Sequence, residues 1–244
     1  MKKFILLFCV LTFHFIFSFA GEKLESDVIK TSDGDLKMTF VGHGTLLFEF
    51  KEMVIHVDPV NRYASYDSMP KADLILITHE HGDHLSKETI EQIRTENTKY
   101  ILTQLCADML GKGIVMKNGD SKKINGLTIE AVPAYNIVHK RSNGEPYHPK
   151  GNGNGYVIHF GDKKIYVAGD TENIPEMTNL KDIYCAFLPM NLPYTMSPEM
   201  AADAAKKIKP KILYPYHYGS TDTNELIKLL EKEKNIEIRI RQLQ

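Results

Sequence analysis

Leu74-Ile-Leu-Ile-Thr-His79-Glu-His81-Gly-Asp83-His84-Leu85 is the stretch on which the reading of this chain turns. The apolar run over residues 73–78 predicts a buried strand, and it ends in four side chains of metal-ligand type: His79, His81, Asp83 and His84. In an extended segment residues two apart point the same way, so His79 and His81 project together. Gly82 lets the backbone turn, and Asp83 and His84 fall where a helix beginning near Ser86 would start, offset from the first pair. That spacing suits two adjacent cations better than one. Imidazole with carboxylate is the donor set of zinc, and also of iron or manganese.

Working outward, three strand-like runs precede this stretch, at residues 36–41, 46–50 and 53–57, with short turn-like separators as in a meander. Gly42-His43-Gly44-Thr45 separates the first two, and Asp58-Pro59 closes the third. His43 is expected near the metal loop, because metal-bound imidazoles need a hydrogen-bonded partner. His56 and His159 lie inside strands and read as structural. After the loop, residues 86–96 predict a helix with Ser86 as N-cap and Glu88 and Glu91 in its opening turns. A strand over 100–103, a helix over 104–110 and a strand over 127–132 follow. Residues 155–160 and the run from Lys164 into Gly169-Asp170-Thr171 predict two more strands. Further on come a strand over 183–189, a helix over 198–207 started by Ser197-Pro198, and a strand over 211–215 running into Tyr216-His217. A helix over 223–232 and a strand over 236–240 finish the chain. Alternation of strand and helix, with meanders mixed in, predicts an α/β chain of mixed sheet covered by helices. No internal repeat is visible.

His79-Glu-His81-Gly-Asp83-His84 resembles the H-x-H-x-D-H signature of the metallo-β-lactamase superfamily. The resemblance implies an αββα sandwich, two mixed sheets flanked by helices in an α/β (α+β) fold. It also implies a dinuclear metal site along one edge and, in most members, hydrolytic activity. Asp58 resembles the superfamily's buried aspartate that braces the metal loop without binding metal. Asp170, a strand-end carboxylate beside a glycine, resembles its bridging ligand, and His217 its last ligand. The third motif departs from the common pattern: Val132-Pro-Ala-Tyr135-Asn136 has asparagine where many members have histidine, and an amide oxygen is a poor zinc ligand. The later Tyr147-His148-Pro-Lys150-Gly resembles a branch related to ascorbate-6-phosphate lactonase, in which that histidine faces the site. His148 is therefore the expected ligand, with His139 as the alternative. The implied set is His79, His81 and His148 on one ion, Asp83, His84 and His217 on the other, and Asp170 between them. The long loop between the third motif and residue 155 offers Tyr135, Asn136, Arg141 and Lys150 as substrate contacts, with Tyr194 from the loop at 190–197.

Composition bounds the rest. With 244 residues, 43% hydrophobic and 25% charged, the chain is an ordinary globular one. Met1-Lys-Lys, an apolar run over 4–19 and Ser18-Phe-Ala20 describe a cleavable signal peptide over 1–20, or a membrane anchor if it stays uncleaved. Export to a periplasm or to the outside is the expectation. Residues 21–35 read as a polar linker and 36–244 as one domain. Beyond residue 20 the chain carries 28 basic and 31 acidic side chains, which argues against a nucleic-acid partner. Cys106 and Cys185 sit among apolar neighbours and read as core residues. Nothing in the pattern sets an oligomeric state.

The expected activity follows from the donor set. A water on one zinc already has its pKa lowered to about 7. Two divalent ions, with Asp83 orienting as well as ligating, would supply hydroxide beside a Lewis acid at neutral pH. The leading expectation is an exported hydrolase of a small ester, lactone or anionic substrate. The alternatives are a phosphodiesterase or phospholipase on the same metals, and a metal-binding protein without turnover.

Overall fold

The computed structural model describes residues 24–243, so the segment read as a signal peptide lies outside the described residues. Among the described residues, fourteen strands and four α-helices alternate. The first half holds β1 (Ser26–Thr31), β2 (Gly34–Gly42), β3 (Thr45–Phe50), β4 (Met53–Val57), β5 (Leu74–Leu76), α1 (Lys87–Ile93), β6 (Lys99–Leu102), α2 (Gln104–Leu110) and β7 (Ile114–Val115). The second holds β8 (Ser121–Ile124), β9 (Leu127–Ala134), β10 (Gly153–Phe160), β11 (Lys163–Val167), β12 (Ile183–Pro189), α3 (Pro198–Ile208), β13 (Ile212–Tyr216), α4 (Thr223–Leu229) and β14 (Glu237–Ile238). A 3₁₀ turn, Pro175–Asn179, precedes β12.

Two seven-stranded sheets result, one in the order β1 to β7 and the other β14 to β8. In the first, β1 to β4 are mutually antiparallel, and β5, β6 and β7 add in parallel. The second repeats this arrangement strand for strand, β8 to β11 antiparallel and β12 to β14 parallel. The halves are thus two copies of one topology, a duplication carried by hydrogen-bonding pattern and not by any legible sequence repeat.

The alternation within β5 explains the sandwich. Leu74 and Leu76 point to the core between the sheets, while Ile75 and Ile77 join Ile90, Ile93 and Cys106 under α1 and α2. A strand buried on both faces belongs inside an α/β layer. On the other side Ala201, Ala202, Ala204, Ala205 and Ile208 bury one flank of α3. Aromatic rings fill the space between sheets: Phe187 stacks on Tyr214 at 4.9 Å and Phe48 meets Phe160 edge-on at 6.0 Å. Ser86 and Ser197 cap α1 and α3 through the backbone N–H groups of Thr89 and Met200. Each such cap contributes about 1 kcal/mol.

The polar segment 21–35 is not a linker over its described part. Residues 26–31 form β1, paired with β2 from Ser26↔Thr39 to Thr31↔Gly34. Only Ile29 of the strand is buried, so an edge strand with almost no apolar face looks like a linker in sequence. The short edge strands β7 and β8 and the 3₁₀ turn are likewise absent from the sequence reading, for the same want of an apolar alternation. Among the described residues no helix is long and apolar enough to cross a membrane.

Candidate metal centre

The site gathers at the C-terminal ends of strands and on the loops that leave them. Asp58 follows β4, the His79–His84 loop follows β5, Asp170 follows β11 and His217 follows β13. His43 and His148 come from the β2–β3 and β9–β10 connections, which correspond in the two halves, as do the Asp58 and Asp170 positions. Two groups of donors form, each with its ligand atoms within 4.8 Å of one another: His79, His81, His148 and Asp170 in one, His43, Asp83, His84 and His217 in the other. Asp170 faces both. Its Oδ1 lies 3.3 Å from His84 Nε2, and its Oδ2 lies 3.2 Å from His148 Nε2, 3.4 Å from His217 Nε2 and 3.7 Å from His79 Nε2. Asp83 Oδ2 stands 3.3 Å from His43 Nε2 and 3.6 Å from His217 Nε2.

The supporting hydrogen bonds fix which ring nitrogen each histidine offers. Asp58, fully buried, accepts from the Thr78 N–H at 2.8 Å and the Thr78 hydroxyl at 2.6 Å. It also accepts from His84 Nδ1 at 2.8 Å. Since the Thr78 hydroxyl gives its proton to Asp58, it can only accept from His79 Nδ1, 3.0 Å away. His148 Nδ1 donates to Asn136 Oδ1 at 2.6 Å. In all three rings Nδ1 carries the proton and Nε2 presents a lone pair inward. Asp58 therefore braces the loop, as expected of it.

Buried polar atoms without a partner test whether the group fits metal. His79 Nε2, His84 Nε2, His217 Nε2 and Asp170 Oδ1 are buried with no hydrogen bond among the described residues. Native interiors rarely tolerate such orphans, and these four face one another within the two donor groups. Such unpartnered donors fit bound cations, and imidazoles with carboxylates are the donor set of zinc, iron or manganese. Electrostatics agree. Burial pulls His84 down, but Asp170, Asp58 and Asp83 outweigh it and raise the ring to about 9, so the carboxylates draw positive charge to Nε2 that a bound cation would supply in place of a proton. Burial would raise Asp170, yet His217, His84 and His148 keep it well below the carboxylate range. His79 is driven well below the ordinary histidine value, by burial first and then by neighbouring rings.

The backbone is strained where the donors sit. His43, Asp58 and His217 hold φ of 53°, 46° and 49°, a region costing about 1 kcal/mol or more for non-glycine residues. The His217 N–H donates to the His43 carbonyl at 3.1 Å, tying the two strained histidines together. Gly44 makes room for the cluster, since a Cβ there would stand 2.7 Å from His84 Cε1.

His148 joins the donors and His139 does not; the latter's Nδ1 lies 2.8 Å from Glu172 Oε1. Asn136 is not a substrate contact: its Oδ1 accepts from the His148 backbone and ring, and its Nδ2 donates to Glu172 Oε1 and the Tyr194 carbonyl. The amide that looked like a missing ligand instead orients the ligand that replaces it. Lys150 is not in the site either; its ammonium pairs with Glu176 at 2.7 Å over the Tyr135 ring, and Tyr135 donates to the same carboxylate. Arg141 and Tyr194 do line a cavity of about 290 Å³ above the donors, together with Tyr147 and Asn191. The Arg141 guanidinium stacks 5.2 Å from the Tyr147 ring centre, and Tyr194 meets Tyr147 edge-on. A larger cleft of about 430 Å³ opens at the hairpin end of the sheets, far from these groups. Glu172 escaped the sequence reading. It is fully buried, and its carboxylate takes the backbone N–H groups of Ile137, Val138 and His139 at 2.7 to 2.8 Å. Its one signal was a charge two residues past Asp170, at the end of a core strand.

A fold of two like halves closing over a buried histidine–aspartate cluster defines a class, the metallo-β-lactamase sandwich. Residues 37–217 match the family model described as the beta-lactamase superfamily domain, and the chain belongs to that superfamily. Within it, the chain is 31% identical to a UPF0173 metal-dependent hydrolase of Desulforamulus reducens, over 85% of this chain and 97% of the relative. An inferred metal-dependent hydrolase from Parabacteroides distasonis, known as a crystal structure, is 49% identical with a TM-score of 0.87, covering 91% of this chain and all of the other. Igni18, a metallo hydrolase from Ignicoccus hospitalis, is 26% identical with a TM-score of 0.69 over 85% and 95% of the two chains.

Proposed function

We propose that this metal-dependent hydrolase cleaves a small anionic ester or lactone in the cavity above the histidine–aspartate cluster. The observation that carries the reading is the junction of two elements: orphaned buried donors on the floor and a guanidinium in the lining. Two divalent cations held by His79, His81, His148, Asp83, His84, His217 and Asp170, zinc by preference, would supply Lewis acidity and an acidified water. The chain's own residues prepare the rest. Asp58, Thr78 and Asn136 hold three rings in the tautomer that leaves Nε2 free. Asp83, half-buried at the cavity floor, orients the attacking group as well as ligating. Arg141 presents a planar fork to an anion, and Tyr147 and Tyr194 form a wall that excludes water.

His148 in the donor set removes the ground for a metal protein without turnover, which was the missing histidine at Asn136. The guanidinium fork also suits a phosphodiester, so that reading stands second. Metal analysis of the purified protein tests the premise, and a panel of chromogenic lactones, carboxylic esters and phosphodiesters tests the reaction. Two metal equivalents with turnover of esters or lactones support the reading; faster phosphodiester cleavage promotes the second. Export of the mature chain rests on the charged, apolar and small-residue pattern of residues 1–20 and is tested by N-terminal sequencing for cleavage after Ala20.

A further inference from the structure

Nine large apolar side chains are exposed among the described residues, and four of them, Ile137, Val138, Leu192 and Tyr194, sit on the two loops that line the cavity through Arg141 and Tyr147 and through Asn191 and Tyr194. Val138 is 66% exposed and Ile137 48%. These residues are held in place by buried polar groups. Glu172 commits its buried carboxylate to the backbone N–H groups of residues 137, 138 and 139, which fixes that loop with two aliphatic side chains facing water. Asn136 Nδ2 donates to the Tyr194 carbonyl at 2.9 Å and so ties this loop to the one bearing Leu192 and Tyr194. Tyr194 continues the apolar surface inward, against Tyr147 in the cavity lining, to the donors and Arg141. Along these two loops the exposed aliphatic side chains are followed inward by the Tyr194–Tyr147 pair and then by Arg141 and the donors.

We infer that the substrate is an amphiphile, with an anionic head at the metal centre and an alkyl or acyl chain lying over Ile137, Val138, Leu192 and Tyr194. The inference rests on the proposed function and narrows it. A rigid apolar rim is costly to leave wet, and a chain threading from the cavity would cover it. Each methylene buried on such a surface tightens binding by about two- to fourfold.

The test is calorimetric binding of ethyl-, butyl- and octylphosphonate to the metal-loaded protein, at concentrations below micelle formation. The expected result is affinity rising at each step from ethyl to octyl. In the triple variant Ile137→Ser, Val138→Ser, Leu192→Ser the rise should vanish, while ethylphosphonate affinity and metal content stay at wild-type values. Affinity independent of chain length in the wild type overturns the inference and leaves the proposed function standing. A rise that persists in the triple variant overturns it too. Binding to phospholipid vesicles, or self-association, that the triple variant abolishes while monomeric phosphonates show no chain-length effect assigns the rim to a surface or a second copy and overturns it. Failure of every phosphonate to bind removes the proposed function itself.

Discussion

At the scale of single residues, the site depends on who holds each imidazole. His148→Ala should lower bound metal and activity together, whereas His139→Ala should leave bound metal near two equivalents, as measured by elemental analysis. Asn136→Ala removes the acceptor that fixes His148 Nδ1, and partners of this kind are worth about 10- to 100-fold in metal affinity. A chelator competition on the variant checks that loss; unchanged affinity would return Asn136 to the role of a bystander. Gly44→Ala would drive a methyl group into the His84 ring, so metal should be lost first from the group of Asp83, His84 and His217. Much of this was legible beforehand, because His79, His81, Asp83, His84, Asp170 and His217 lie on the segments that leave β5, β11 and β13, close to strand ends the sequence marks. The roles of Asn136, Lys150 and Glu172 were not legible, since each is decided by partners 12 to 58 residues away.

At the scale of elements, β1 shows how a strand with a single buried side chain is kept. Asp27 accepts from the Tyr214 hydroxyl at 2.6 Å and pairs with Arg241 at 2.8 Å and Arg239 at 3.1 Å, clipping β1 to the second sheet. Burial alone would raise the Asp27 carboxyl, but Tyr214, Arg241 and Arg239 outweigh it and lower its pKa. A carboxyl lowered on folding stabilises the protein above its unfolded pKa of about 4 and loses that contribution as pH falls through the folded value. Asp27→Asn should therefore cost about 1.5–3 kcal/mol at pH 7, the worth of a charged hydrogen bond. The deficit should hold from pH 7 to pH 5 and shrink below pH 4. Urea unfolding of both proteins at pH 7, 5 and 3 measures it, and a deficit that grows in acid would contradict the assignment.

At the scale of the whole molecule, the donors are shared between the two halves. His79, His81, Asp83 and His84 come from the first sheet and its loops, and His148, Asp170 and His217 from the second. Cations bound there would link the halves, and a ligand at 100 times its dissociation constant stabilises by about 2.7 kcal/mol. For a chain of this size that corresponds to about 5–10 °C in Tm. Dialysis against a chelator should lower Tm by that amount, and restored zinc should recover it; a Tm indifferent to chelation would place the metals elsewhere. The repeated topology is visible only at this scale, because hydrogen-bond pattern can be duplicated without any surviving likeness of residues.

The sequence by itself determined the class of fold, the metal-ligand chemistry and most of the donors, because strand periodicity and strand-end spacing are local and act on every residue in the same way. Only the tertiary structure decided that His148 and not His139 completes the cluster, that Asn136 and Glu172 shape the cavity loop, and that apolar side chains on it stand exposed. The physical reason is the loop itself. Between residues 135 and 152 no repeating hydrogen-bond ladder fixes the backbone, so its path is set by buried polar partners that arrive from the rest of the chain.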